Sequence, residues 1–178
     1  MSFDALKSAQ TTLSAEREGL LQLETSLGDN FVSAIDLLSG ATGRVIVSGM
    51  GKSGHVANKI VATLASTGTP AQFVHPAEAS HGDLGMITQQ DVILGLSWSG
   101  ETNELANLLS YAARFAIPLV AITSNPDSQL GQKANICLTL PKAPEACPNG
   151  LAPTTSTTMQ LALGDAIAVA LLQKKNFS

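Results

Sequence analysis

The chain has 178 residues, of which 44% are apolar and only 13% charged, with a formal net charge of −4. That length suits one domain with a full core, and an acidic balance without Lys/Arg clusters argues against nucleic acid and anionic membrane as partners. So few surface charges do little to keep copies of the chain apart, which predicts a homo-oligomer, a dimer or tetramer.

The N-terminal segment, Met1-Ser2-Phe3-Asp4-Ala5-Leu6-Lys7, has acidic and polar residues and no apolar stretch of signal-peptide type. Residues 3–38 read as helical. Leu20, Leu21, Leu23 and Leu27 form one apolar group, Phe31, Ile35, Leu37 and Leu38 another, and Gly28-Asp29-Asn30 breaks the first helix and caps the second. Gly40-Ala41-Thr42-Gly43 turns the chain into a strand at 44–48, followed by the turn Gly49-Met50-Gly51-Lys52-Ser53-Gly54 and a helix near 53–66. A second strand at 71–74 ends on His75-Pro76. A third at 91–96 runs into Ser97-Trp98-Ser99-Gly100-Glu101-Thr102 and a helix near 102–114. Then come a strand at 119–123, a short helix near 127–133, a strand at 136–140, a loop rich in Pro, Gly and Ala, and a helix from 155 to 174. That last helix contains Gly164 and Asp165 and reads as buried; no uninterrupted apolar run reaches the roughly 20 residues of a membrane span. Cys137 and Cys147 are isolated thiols without metal-ligand spacing, which fits a reducing cytosol and a cytoplasmic protein.

Short Val/Ile/Leu-rich strands separated by helices predict a three-layer α/β sandwich: a five-stranded parallel sheet, flavodoxin- or Rossmann-like, covered on both faces. In the order 2-1-3-4-5, strands 1 and 3 are neighbours at the switch point, where ligands bind beyond the carboxyl ends. Both glycine- and hydroxyl-rich turns follow those two strands.

The first turn fits G-x-G-x-x-G, but the second strand ends in Phe73-Val74-His75-Pro76, without the acidic residue a dinucleotide site needs. A nucleotide P-loop needs a glycine where Ile46 stands. What remains is an anion site, with Gly51, Lys52 and Ser53 at a helix N-terminus, or a tight turn without a ligand. In the second turn Ser97, Ser99 and Thr102 offer three hydroxyls and Gly100 a close backbone approach; the plainer reading is an N-cap. Trp98 is expected to turn sideways, into packing or a subunit contact. His55 reads as a helix-surface residue. His75 and His81 read as polar contacts to substrate, with His75 as an adventitious metal ligand. Glu101 and Glu104 sit where carboxylates also complement a helix dipole. Glu145, in the proline-bounded Lys142-Ala143-Pro144-Glu145-Ala146-Cys147-Pro148, is expected to be partly desolvated, with its pKa raised toward that of a base. Thr154-Thr155-Ser156-Thr157-Thr158 puts five hydroxyl residues at the start of the last helix. One suffices as a cap, and the others would line the crevice or a neighbouring subunit.

These segments resemble the sugar isomerase (SIS) domain family, and the D-arabinose 5-phosphate isomerases within it. The matching stretches are 49–55, 65–70, 74–79, 81–86, Ser97-x-Ser99-Gly100-Glu101, Glu145-Ala146-Cys147-Pro148, Gly150-Leu151-Ala152-Pro153-Thr154 and Gly164-Asp165-Ala166. The resemblance implies interconversion of D-ribulose 5-phosphate and D-arabinose 5-phosphate through an enediol, the first step toward Kdo for lipopolysaccharide, without a cofactor. It implies catalytic roles for Lys52, Glu104 and Glu145, and substrate contacts at Gly68, Thr69, His75 and His81. Phosphate contacts fall on Ser53, Ser97, Ser99 and Thr102, and an inhibitory zinc on His75. The resemblance spans roughly residues 40–172, and the chain is expected to be one SIS domain over 1–178, with helices to residue 40, an α/β core over 41–175 and no CBS domains. The tandem CBS domains of many relatives, and the family's catalytic histidine, fall beyond Ser178. Trp98 stands where relatives carry a small or polar residue. Two other readings remain open at this level: a non-catalytic sugar-phosphate sensor, and an isomerase of a hexulose or heptulose phosphate.

Overall fold

The computed structural model describes residues 3–176; Met1 and Ser2 of the N-terminal reading, and 177–178 of the domain range, lie outside the described residues. Five strands, β1 (Val45–Gly49), β2 (Ala71–Phe73), β3 (Val92–Leu96), β4 (Leu119–Thr123) and β5 (Ile136–Thr139), pair in parallel in the order β2-β1-β3-β4-β5. Every residue of β1, β3 and β4 is buried, which is why their sequences are continuous apolar runs rather than alternating ones.

Successive residues still divide between two cores, because side chains alternate faces along a strand. Val45, Val47, Val92, Leu94, Leu96, Val120 and Ile122 face one layer, with Ala57, Ile60 and Leu64 of α3 (Gly51–Ser66) and Met159, Leu163 and Ile167 of α7 (Thr155–Lys174). The ends of α1 (Ala5–Ser26) and α2 (Asp29–Ser39) close that layer through Leu23, Ile35 and Leu38. Ile46, Ile93, Leu119 and Ala121 face the other layer, with Ala79 of α4 (Pro76–Ala79), Leu108 and Leu109 of α5 (Ala106–Phe115) and Leu130 of α6 (Gln129–Lys133). Each fully buried Leu or Ile contributes about 1.5–3 kcal/mol relative to exposure.

Element boundaries differ from the sequence-based ones for local reasons. β1 begins at Val45 because the Arg44 N–H is taken by the Asp91 carboxylate (2.7 Å). The helix expected from 102 starts as a 3-10 turn over Asn103–Leu105 and becomes α-helical only at Ala106, because the Thr102 hydroxyl is held by Ser97. α6 starts two residues late because Ser128 caps it, its Oγ accepting from the Gly131 N–H (3.2 Å). Gly28 does separate α1 from α2, but it makes no side-chain cap; the Phe31 N–H bonds its carbonyl instead (2.9 Å). The His81-Gly82-Asp83 turn leads into a 3-10 helix, Asp83–Met86, before the chain reaches β3.

α7 has the length and mean hydropathy (1.3) of a membrane-crossing helix, but it packs along α3, α1 and α2 as a core helix. Its approach to α3 needs Gly164, where an added Cβ would stand 2.3 Å from Ile60 Cγ1. Gly164→Ala is therefore expected to force the two helices apart and cost about 1–3 kcal/mol, read as a lowered urea midpoint; an unchanged midpoint would show that Ile60 repacks freely.

Candidate active site

The carboxyl ends of β1 and β3 lie side by side, with Gly49 in register with Leu96. Beyond β1, Gly51 opens α3 at φ +58°, a left-handed conformation that glycine adopts without strain. This turn projects Lys52 and Ser53 from the N-terminus of a 16-residue helix. A lysine is electrostatically out of place there as a structural residue, since helix N-termini favour negative charge. As part of an anion site it is in place, adding its charge to the helix dipole and the free N–H groups.

Beyond β3 the second turn is clamped to its neighbours. The Trp98 carbonyl accepts from the Ser124 N–H (3.0 Å), the Ser124 hydroxyl (2.8 Å) and the Thr123 hydroxyl (3.1 Å). Gly100 has φ +72°, and a Cβ on it would lie 1.8 Å from Ser128 Oγ. The hydroxyls turn inward: Ser97 Oγ lies 2.8 Å from Thr102 Oγ1 and accepts from the Gly100 N–H at 3.0 Å, while Ser99 Oγ accepts from the Glu101 N–H at 3.2 Å. Three hydroxyls, more than an N-cap needs, are thus engaged within the turn. Ser97 is buried and Ser99 exposed. Glu101 is spent on α6, accepting from the Gln129 N–H at 3.0 Å.

The long loop after β5 crosses the strand ends and brings Glu145 to the β1 turn. Met50, Lys52, Ser53, Trp98, Glu145, Ser156 and Thr157 line one cleft of about 340 Å³, rimmed by Gly150, Leu151 and Pro153. Trp98 both packs on the core and walls this cleft.

Glu145 Oε2 receives three hydrogen bonds: from the Thr154 N–H (2.7 Å), the Thr154 hydroxyl (3.0 Å) and the Ser156 N–H (3.2 Å). The carboxylate therefore caps α7, and the Thr154 side chain makes no cap bond to its own helix. Here the expectation of a raised pKa is overturned. Burial does push the carboxyl up, but the donors from Ser156 and Thr154 outweigh it and hold Glu145 below the usual glutamate value. Asp91 behaves alike: burial raises it, and donors from Thr88 and Arg44 outweigh that and lower it.

Both groups give stability that is complete above the ordinary carboxyl values, near pH 4, and lost as pH falls through their depressed folded values. The urea midpoint is expected to fall as pH drops below about 4, and the drop to be shallower in Asp91→Asn and Glu145→Gln. Equal drops in all three proteins would contradict the assignment.

The remaining candidates lie apart within one chain. Gly51, His55 and His75 line a second depression of about 180 Å³ on the other side of the β1 turn. His75 Nδ1 is buried there without a partner. His81 and Glu104 are exposed, on neighbouring segments beside α4, where Asn107 donates to Ser80 Oγ at 2.8 Å. Gly68 and Thr69 follow the C-terminus of α3, about 24 Å along that helix from Lys52. They therefore sit at the amino edge of the sheet, where Thr69 is buried and its hydroxyl accepts from Lys175 Nζ (3.0 Å). No three His, Cys, Asp or Glu side chains converge as metal ligands among the described residues of one chain, at His75 or elsewhere. Both cysteines are free thiols. Ser156 and Thr157 enter the cleft from the hydroxyl run, and Ser156, a backbone donor to Glu145, was legible only as one of five similar residues.

An open parallel sheet with a basic, hydroxyl-bearing helix N-terminus facing a carboxylate across the switch point makes a cleft suited to a small anion. The SIS domain family matches residues 37–170, and the chain belongs to that family. It is 54% identical over 177 residues to the arabinose 5-phosphate isomerase KdsD of Pseudomonas aeruginosa, covering 99% of this chain and 54% of that protein. It is 52% identical to KdsD of Yersinia pestis, covering 98% and 53%. The chain thus spans about half the length of the curated relatives it matches. The solved structure of Escherichia coli CFT073 c3406 in complex with A5P superposes with a TM-score of 0.95 at 37% identity, covering 100% of this chain and 95% of that one.

Proposed function

We propose that this domain interconverts D-arabinose 5-phosphate and D-ribulose 5-phosphate. The observation that carries the reading is the single cleft in which Lys52 and Ser53 at the N-terminus of α3 face the Glu145 carboxylate. The identity to KdsD proteins and the likeness to an A5P-bound structure support it.

The aldose–ketose step removes a proton from C2 of the aldose, passes through an enediol and returns a proton to C1. Glu145 is the base. Its depressed pKa makes it a weaker base than a desolvated carboxylate, but keeps it ionised at neutral pH. Lys52 stabilises the oxyanion that develops at the carbonyl, or the phosphate. The phosphate is held by Ser53 and the N–H at Gly51 at the start of α3, with Ser97, Ser99 and Thr102 on the second turn beside it, where the Gly100 N–H is already engaged by Ser97. Anchoring that end aligns the reacting carbons. Glu104 relays protons among the hydroxyls, with His75 and His81 as sugar contacts.

His81 and Glu104, both exposed, join such a site most simply from a neighbouring copy, whereas Thr69 is buried within its own chain. Exposed Leu6 (70%) and Leu13 (66%), seven apart on one face of α1, suit burial between copies. We read the working form as a homo-oligomer, and light scattering at micromolar concentration is expected to give a mass above 18.3 kDa. The product's place before Kdo in lipopolysaccharide synthesis, and a cytoplasmic setting, follow as expectations from the same reading.

The test is ¹H NMR of the purified chain with arabinose 5-phosphate in D₂O. Ribulose 5-phosphate should accumulate with deuterium entering at the exchanging carbon. Neither product nor exchange would refute the isomerase reading.

A further inference from the structure

We infer that Thr154 is a positioning residue for Glu145: it fixes Oε2 and leaves Oε1 as the oxygen that meets the substrate's proton. This rests on the isomerase reading for its consequence, and on geometry for its existence.

The Thr154 hydroxyl is committed on both sides. It accepts from the Ala146 N–H at 2.9 Å and lies 3.0 Å from Glu145 Oε2. A hydroxyl has one proton to give, and with a lone pair taken by Ala146 that proton goes to the carboxylate. The backbone N–H groups of Thr154 (2.7 Å) and Ser156 (3.2 Å) bond the same oxygen. The three hydrogen bonds from Thr154 and the Ser156 N–H therefore converge on Oε2, and the Ser156 side chain, which lines the cleft, adds a further donor to the carboxylate. A carboxylate has about four lone-pair sites, shared by its two oxygens. Oε2 is filled from the helix side, and the cleft side is left to Oε1.

The brace also ties the loop to the helix. Residue 146 is next to Glu145 in the chain, and 154 is the first residue before α7. One side chain thus holds both the backbone beside the base and the base itself. Such double support locks a reacting group within the few tenths of an ångström that proton transfer requires. Nothing else is asked of this hydroxyl: it does not line the cleft, and it does not cap its own helix.

Three variants test this. Thr154→Val keeps both backbone donors and the side-chain shape but removes the hydroxyl; Thr154→Ala serves in its place if the valine protein does not fold. Thr154→Ser restores the hydroxyl. The first readout needs no substrate: the ¹³C carboxyl resonance of Glu145, assigned by its loss in Glu145→Gln, is titrated in each protein. It should titrate at higher pH in T154V than in wild type and return in T154S.

The second readout is turnover of arabinose 5-phosphate. T154V should lose about tenfold in kcat, the loss of one hydrogen bond to a charged group, with KM within twofold. The acid limb of its kcat/KM profile should move to higher pH, and T154S should recover both. A Glu145 titration identical in T154V and wild type overturns the proposal, as does a kcat loss that serine does not rescue. If wild type itself turns over no pentose phosphate, the isomerase reading fails, and the carboxyl titration still decides the brace.

Discussion

Glu145→Gln is expected to lower turnover of arabinose 5-phosphate by about 10²–10⁴-fold, the usual contribution of a positioned general base, while stability at neutral pH falls only by the charge-assisted part of the Thr154 and Ser156 hydrogen bonds. The two halves of that expectation come from different atoms of one side chain. The amide retains a carbonyl oxygen that can accept from the Thr154 and Ser156 N–H groups, so the start of α7 keeps its cap. What the amide lacks is a group able to take a proton. Glu145→Ala removes both functions and is expected to cost about 0.5–2 kcal/mol of stability in addition, as lost caps do. The pair therefore separates chemistry from scaffolding. Turnover within a few-fold of wild type in the glutamine variant would remove Glu145 from the mechanism.

The largest effect on stability is expected from Asp91→Ala, far from the cleft. Asp91 is 2% exposed. Its Oδ1 accepts from the Arg44 N–H (2.7 Å), and its Oδ2 accepts from the Thr88 N–H (2.8 Å) and hydroxyl (3.0 Å). This carboxylate ties the entry of β1 to the entry of β3, the central pair of the sheet. Truncation leaves two backbone donors without acceptors in a nearly dry site, at a cost of about 3–5 kcal/mol. The melting temperature should fall by on the order of 10 °C. The Arg44 guanidinium, 3.7 Å away and 38% exposed, adds little as an ion pair, but it also donates to Gln72 Oε1 and to the Met86 carbonyl (2.9 Å), so Arg44→Ala should cost about 1–2 kcal/mol, still less than Asp91→Ala. Chemical denaturation followed by circular dichroism distinguishes the two; equal costs would mean the ion pair, not the backbone bonds, holds the strand entries.

Much of this architecture could be read from residue order. The runs 45–47, 92–96 and 119–122 are apolar because both faces of the sheet are covered, and these with two shorter strand-like runs between helices allow few other sheets. The two turns also pointed to one shared crevice, because the order β2-β1-β3-β4-β5 makes β1 and β3 neighbours. Gly68 and Thr69, expected as substrate contacts, lie instead between the end of α3 and β2, at the amino edge and away from the switch point within one chain.

The pKa of Glu145 was not legible. A proline-bounded loop suggests desolvation, but the donors that reverse its effect come from nine and eleven residues downstream. Nor were the inward hydroxyls of Ser97 and Thr102, since a side chain that serves a ligand and one that serves its own turn have the same spacing.

Periodicity and turn chemistry act over a few residues, so one chain's residue order suffices to specify its strands, their covered faces and the helix N-terminus that attracts an anion. Which oxygen of Glu145 is free, which hydroxyls are already engaged, and which candidates stay outside the Lys52 cleft are set by contacts between segments far apart in the chain. Those contacts form only when the loop after β5 folds back across the strand ends.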